Sequence, residues 1–200
     1  MLAFDLETSG LDISCAHIMC ASVYDPDAGI SQVFMFCMGD SVDEFLDLLD
    51  HADRLCAFNG ARFDIPMIQQ YFQVLFGFYL FLFQTTLTCF RQVENSRVSK
   101  WRLKLHDVFE ACKLALDCTF SLDTLLALNG LPTKSGSGIE ALQMIRTHDW
   151  ERLRHYSIRD AELTYLVSML DKIKIPRVNG IYLTNKGEFV RETIPKFNHV

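Results

Sequence analysis

Met1-Leu2-Ala3-Phe4-Asp5-Leu6-Glu7-Thr8 opens the chain, and the fold class turns on reading it as a strand. Leu2 to Leu6 is a short apolar run. Alternate residues of a strand share a face, so Asp5 and Glu7 aim their carboxylates the same way. Taken alone, an Asp-x-Glu pair is more often a solvated strand edge than a site. Inside an apolar strand, two like charges on one face are costly unless something positive binds between them. Oxygen ligands of this kind suit hard divalent cations, Mg²⁺ or Mn²⁺.

Outward from that strand, Ile18 to Tyr24 reads as a second strand. Asp25-Pro26-Asp27-Ala28-Gly29 is a turn into a third, Ile30 to Cys37, so an antiparallel meander is expected. Ser41-Val42-Asp43-Glu44 is a capping-box pattern ahead of Phe45, Leu46, Leu48 and Leu49 at helical spacing. Arg54 to Phe58 is a fourth short strand ended by Asn59-Gly60, and a helix over Phe63 to Phe72 carries Pro66 near its first turn. Lys104 to Val108 is a fifth strand running into a helix over Phe109 to Leu116. Ser121 to Leu128 is a helix stopped by Asn129-Gly130. A Gly/Ser loop over 133–138 precedes helices at Glu140 to Ile145 and Trp150 to Ile173. Strands interleaved with helices in this way define an α/β domain over residues 1–175. The pattern weakens from Pro176, leaving 176–200 as a tail without an assigned element.

Composition bounds the function. Half of the 200 residues are hydrophobic and 22% are charged, so a real core is available. Twenty-five acidic residues against 19 Lys and Arg give −6, which argues against a non-specific nucleic-acid coat. It leaves room for a nucleic-acid enzyme whose local charge is reversed by bound metal. Seven cysteines, an odd number with no C-x-x-C pair, exclude a tidy disulfide framework and lend zinc little support. The chain's opening residues show no positive n-region followed by an apolar h-region, so an intracellular location is expected, in nucleus, cytoplasm or organelle.

Residues 65–90 carry no charge, and Val74 to Phe83 is almost wholly apolar. A membrane-spanning helix needs about 20 predominantly apolar residues, and glutamines and threonines dilute this stretch. A buried or partner-covered helix, a translated segment of non-coding origin and a membrane segment remain as readings, and integral membrane association is not expected. Residues 74–92 are compatible with a retained intron. Gln73-Val74 fits a splice donor, the Phe/Leu run a T-rich tract, and Phe90-Arg91 an acceptor.

Two further patterns carry chemistry. Asn59-Gly60-Ala61-Arg62-Phe63-Asp64 puts a carboxylate at a helix start just after a strand, where parallel sheets gather ligand sites. An N-terminal capping role is the plain alternative. Tyr156-Ser157-Ile158-Arg159-Asp160 places a tyrosine and a carboxylate on one helix face, a pairing also common on solvated helices. Together, Phe4-Asp5-Leu6-Glu7-Thr8, Asn59-x-x-x-Phe63-Asp64 and Tyr156-x-x-x-Asp160 resemble, in order, the three sequence motifs of the DEDD 3′–5′ exonucleases. The likeness is to the branch with tyrosine in the third motif, similar to the exonuclease domains of family B DNA polymerases and their stand-alone relatives. It covers roughly residues 2 to 170. Leu105-His106-Asp107 falls where relatives often carry a His-Asp pair, and Ser121-Leu122, Gly130-Leu131-Pro132 and Lys134 are softer matches.

The resemblance implies a ribonuclease-H-like fold, a mixed five-stranded sheet flanked by helices. It implies that Asp5, Glu7, Asp64 and Asp160 hold two divalent cations, Mg²⁺ or Mn²⁺, roughly 3.5–4 Å apart, which clamp the scissile phosphate and activate water. Tyr156 would orient or deprotonate that water. One departure bears on this role: His155 stands where the histidine branch carries its general base. Adjacent helical residues point about 100° apart, and the i+4 spacing of Tyr156 and Asp160 favours the tyrosine. Thr8, Asn59, Arg62 and Phe63 fall within the matched motifs and are expected to line the substrate site. Four positive charges flank Trp101 between Arg97 and Lys104, so Lys100 and Trp101 are expected to grip phosphate and stack a base of a single strand. Neither a Walker loop spacing nor a serine-hydrolase elbow is present. The expected function is metal-dependent 3′–5′ exonucleolysis of a single-stranded DNA or RNA end to nucleoside 5′-monophosphates. The alternative is a catalytically idle module of the same fold that binds nucleic acid or a partner protein.

Overall fold

The computed structural model describes residues 1–71, 87–116, 120–134, 136–175, 181–184 and 189–191, with 87–95, 114–116, 181–184 and 189–191 described by backbone alone. Strands β1 (Leu2–Thr8), β2 (Ile18–Asp25) and β3 (Ile30–Phe34) form the antiparallel meander expected from the Asp25–Gly29 turn. Strands β4 (Leu55–Ala57) and β5 (Leu105–Asp107) add to the other side of β1, both parallel. The order β3-β2-β1-β4-β5 puts β1 at the centre of a mixed five-stranded sheet.

The alternation along β1 divides the molecule. Leu2, Phe4 and Leu6 enter the main core with Phe45, Leu46 and Leu49 of helix α1 (Val42–His51), Ile65, Met67 and Ile68 of α2 (residues 64–71), and Val98 and Trp101 of α3 (Leu87–Lys104). Helix α1 starts where the capping box indicates, with the Glu44 N–H donating to Ser41 Oγ at 3.3 Å. The opposite face, beginning with Ala3, lies under α7 (Trp150–Ser168), whose Tyr165 is buried with Ala3 and Cys56. Helices α4 (Val108–Leu116), α5 (Leu122–Leu128) and α6 (Gly138–Thr147) complete that layer. Burying apolar side chains on both faces of the sheet supplies the drive for this layered arrangement.

Two sequence expectations change. The last long helix stops at Ser168 rather than running to Ile173, because Lys172-Ile173-Lys174-Ile175 alternates exposed and buried with period two. Lys172–Lys174 is strand β6, paired with β7 (Ile181–Thr184), which pairs in turn with β8 (Phe189–Arg191) in a three-stranded antiparallel sheet. Asn129 ties β6 to the end of α5: its side-chain amide donates to the Lys174 carbonyl at 3.0 Å and accepts from the Lys174 N–H at 2.7 Å. Second, Lys104 closes a helix rather than opening the fifth strand: the basic stretch around Trp101 forms the C-terminal half of α3, and β5 begins at Leu105. The retained-intron reading of 74–92 falls largely outside the described residues; its last part, 87–92, is helical backbone at the start of α3. Among the described residues, no helix is long and apolar enough to cross a membrane, and Cys15, Cys20, Cys37, Cys56 and Cys112 are free thiols.

The turn between β4 and α2 is the tightest point of the scaffold. Asn59 takes a left-handed conformation with φ of 66°, tolerable for Asn. A Cβ on Gly60 would lie 2.5 Å from the Ala57 Cβ and 3.3 Å from Asp64 Oδ2. Gly60→Ala is therefore expected to destabilise the protein by about 1–3 kcal/mol, as overpacking of a filled site does. Urea unfolding would check this, and an unchanged midpoint would show that the turn can open without cost.

Candidate active site

The polar end of β1 meets α7. Asp5 and Glu7 stand on the same face as Ala3, and α7 delivers Asp160 to them, so that carboxylate oxygens of all three lie within 4.8 Å of one another. Asp160 is 3% exposed and Glu7 9%. Small residues allow α7 this close. Ser22 lies opposite Asp5 and Cys20 opposite Glu7 in the β1–β2 ladder, and the Ser22 hydroxyl donates to the Ser157 carbonyl at 2.9 Å. Tyr156, one turn before Asp160, is buried beside the carboxylates, whereas His155 is exposed.

Asp64 approaches from the other side of β1 and is not in the 4.8 Å group. Its Oδ1 accepts the Leu6 N–H at 3.1 Å, so it is fastened to the backbone between Asp5 and Glu7. Asp107, at the end of β5, fixes the turn that carries Asp64. Its carboxylate accepts the N–H groups of Asn59 at 3.0 Å, Ala61 at 2.8 Å and Glu110 at 3.0 Å. The His-Asp pattern marked this position in the sequence, but nothing local revealed that Asp107 holds the turn.

Electrostatically the cluster is crowded. Burial, then the charges of Glu7, Asp160 and Asp64, hold Asp5 well above the usual carboxylate range. Burial and then the Asp160 charge push Glu7 up to about 8, and burial with the Asp107 charge pushes Asp64 up to about 7. Burial and the carboxylates of Asp160, Glu7 and Asp5 raise the Tyr156 hydroxyl far above its ordinary value. Into this negative site projects one cation of the chain, Lys134, from the loop between α5 and α6. Its ammonium pairs with Asp160 Oδ2, donates to the Tyr156 hydroxyl at 3.4 Å and lies 5.5 Å from the Tyr156 ring centroid. Sequence reading marked Lys134 only as a softer family match and attached no role to it, since a lysine in a Gly/Ser loop has no periodicity to place it.

The residues expected to bind substrate are spread more widely. Thr8 is buried and its hydroxyl donates to the Gly10 carbonyl at 2.6 Å. Asn59 engages Asp107 through its backbone. Phe63 is partly buried against the main core. Arg62 pairs with Glu110. The stacking role expected of Trp101 does not fit: it is 0% exposed, and its indole N–H donates to Asp50 Oδ1 at 2.7 Å. A fully enclosed ring has no free face for a base. Arg97 binds the same Asp50, and Lys104 donates to the carbonyls of Asp50 and Ala52 at the end of α1, so much of that basic stretch fastens α3 to α1. Lys100 remains exposed.

The donor set suits hard cations. Three clustered carboxylates offer oxygen ligands, and the buried Asp160 Oδ1 has no hydrogen-bond partner among the described residues, as a lone pair kept for a cation would be.

A model of the RNase H superfamily (the RNase_H_2 family) matches residues 2–109, more than half of the chain. The chain belongs to this superfamily, a fold class of nucleases and nucleic-acid proteins whose nucleases typically use divalent metals. The match spans β1 to the start of α4 and so contains Asp5, Glu7, Asp64 and Asp107, but not Lys134, Tyr156 or Asp160. No curated protein matches the chain.

The raised carboxyls set a pH dependence for the metal-free protein. Between the usual values of 4.5 and 3.8 and the folded values near 8 and 7 for Glu7 and Asp64, the native state binds more protons than the unfolded one. Stability should then fall as pH rises from about 4 to about 8. Urea unfolding in chelator across that range should show the decline, and saturating Mg²⁺ should flatten it. A metal-free stability that rises through neutral pH would mean that these carboxyls are ionised without strain.

Proposed function

We propose that the chain is a metal-dependent 3′–5′ exonuclease of the tyrosine-type DEDD branch, its domain spanning residues 1–175. It acts on single-stranded or frayed DNA or RNA ends and releases nucleoside 5′-monophosphates. The observation that carries this reading is the meeting of Asp5 and Glu7 with Asp160 within 4.8 Å, with the buried Tyr156 one turn away on the same helix. Membership of the RNase H superfamily supports the nuclease part of the reading and leaves the polarity of cleavage to experiment.

When bound, two divalent cations, Mg²⁺ or Mn²⁺, supply the positive charge that offsets the phosphate and makes water a competent nucleophile at neutral pH. Asp5, Glu7 and Asp160 are the residues that would hold them, with Asp64 joining by releasing or sharing the oxygen now bonded to the Leu6 N–H. Tyr156 would orient or deprotonate the attacking water; in the metal-free site, burial and the neighbouring carboxylates raise its hydroxyl. Asp107 keeps the Asn59–Asp64 turn in register with β1 through its bonds to the Asn59 and Ala61 amides.

The test is digestion of 5′-labelled DNA and RNA oligonucleotides, side by side, with Mg²⁺, Mn²⁺ or chelator. A metal-dependent ladder shortening from the 3′ end is expected. Asp5→Asn, Glu7→Gln, Asp64→Asn and Asp160→Asn should each abolish it, the first three leaving the metal-free fold as stable or slightly more so. Wild-type turnover in any two of these variants would sink the reading. Tyr156→Phe should lose on the order of 10²–10⁴ in rate and His155→Ala little; the reverse pattern would move the chain to the histidine branch. Metal binding without cleavage of any oligonucleotide would favour the idle binding module.

A further inference from the structure

The ammonium of Lys134 stands where positive charge is most needed. It pairs with Asp160 Oδ2, and its field also reaches Asp5 and Glu7. Its side chain is 19% exposed, so it has a short path to solvent. Its backbone is fixed independently: the Lys134 N–H donates to Asp123 Oδ1 on α5 at 2.7 Å. Close by, a Cβ on Gly136 would lie 2.9 Å from Glu140 Oε2 and 3.5 Å from the Tyr156 ring. The backbone of Lys134 is thus held on α5 and Gly136 lies against α6 and α7, so the lysine side chain can change partners without its backbone moving.

We propose that Lys134 is the internal counter-ion of this site: it neutralises the Asp5–Glu7–Asp160 cluster in the metal-free protein, competes with divalent cations for it, and leaves when they bind. The inference rests on the metal-binding part of the proposed function. The ammonium takes Asp160 Oδ2 and leaves Oδ1 open, so a cation bound at Oδ1 would stand a few ångströms from it, and like charges at that range in a buried site repel strongly. Occupation by Lys134 and by metal are therefore linked, and by reciprocity whatever the lysine contributes to the metal-free state is subtracted from metal affinity. An opposite charge at this range moves carboxyl ionisation by roughly 1–3 pH units, so the competition should weaken cation binding by about tenfold or more. Lys134 is on this view a positioning residue. It keeps the carboxylates gathered before metal arrives.

Two measurements on the full chain decide this. In the first, Mn²⁺ binding by calorimetry and melting in chelator are compared for the wild type, Lys134→Met and Lys134→Arg. Lys134→Met should melt lower without metal yet bind Mn²⁺ about tenfold more tightly, and Lys134→Arg, which keeps the charge, should stay near the wild type in both. The second needs no variant. Reductive methylation of the wild-type protein, followed residue by residue by mass spectrometry, should label Lys134 slowly in chelator and several-fold faster with saturating Mn²⁺. The exposed Lys172 should label at one rate throughout. Equal or weaker Mn²⁺ binding by Lys134→Met, or Lys134 labelling that Mn²⁺ leaves unchanged or slows, overturns the counter-ion role while the metal-dependent reading stands. Absence of any Mn²⁺ binding by the wild type overturns both.

Discussion

Carboxylates buried at the crossing of β1 and α7 repel one another, and most of the scaffold's unusual features exist to hold them there. Asp5 and Glu7 sit on the central strand of the sheet, the place least able to yield. Asp160 comes from a helix pressed onto that strand, with Ser22 and Cys20 small enough beneath it to allow the approach. Removing carboxylates from water disfavours their charged forms, and placing them together disfavours it further. The chain offsets part of this with one ammonium, Lys134, and with protons held by Glu7 and Asp64 near neutral pH. Under the exonuclease reading, positive charge from outside would complete the cluster.

The parity of β1 makes this possible. Leu2, Phe4 and Leu6 anchor the strand in the main core, so the facing of Asp5 and Glu7 is set by side chains that have nothing to do with chemistry. A shift of one residue in register would bury both carboxylates among Phe45, Leu46 and Leu49. The irregularity in pairing comes only after Glu7, between it and Thr8, where the strand has already delivered both groups. On the parallel side, Asp107 performs the corresponding task for Asp64 by saturating the amides of the Asn59 turn, and Gly60 lets that turn pass within reach of Ala57.

Where local pattern dictated structure, the sequence was legible. A short apolar run revealed β1, the Asp25–Gly29 turn revealed the meander, and the i,i+4 spacing of Tyr156 and Asp160 put both on one face of α7. The five-stranded mixed sheet followed from those readings and from the family likeness. What stayed hidden was tertiary. Trp101 in a run of basic residues looked like a stacking platform, but its burial depends on Asp50 of α1, about fifty positions earlier, accepting its indole N–H. Lys134 reaches the site across the gap between α5 and α7, a contact that no window of sequence contains. The end of α7 was misread for a different reason: Lys172-Ile173-Lys174-Ile175 continues a helical composition while switching period, and only the buried faces of Ile173 and Ile175 distinguish the strand.

The disposition of positive charge links structure to the substrate proposed. A protein of net charge −6 gains affinity for a phosphate backbone only through local cations. Arg62 is paired with Glu110, Arg97 with Asp50 and Lys104 with the end of α1, so these charges are engaged in holding helices to one another and to the Asn59 turn. Under the exonuclease reading, the pull on a phosphate then depends on divalent cations at Asp5, Glu7 and Asp160, because without them the site presents carboxylates and a single engaged lysine. Metal dependence would on that account extend to substrate binding as well as to the chemical step, and the negative charge of the chain would act as a filter that admits nucleic acid only to a metal-loaded site.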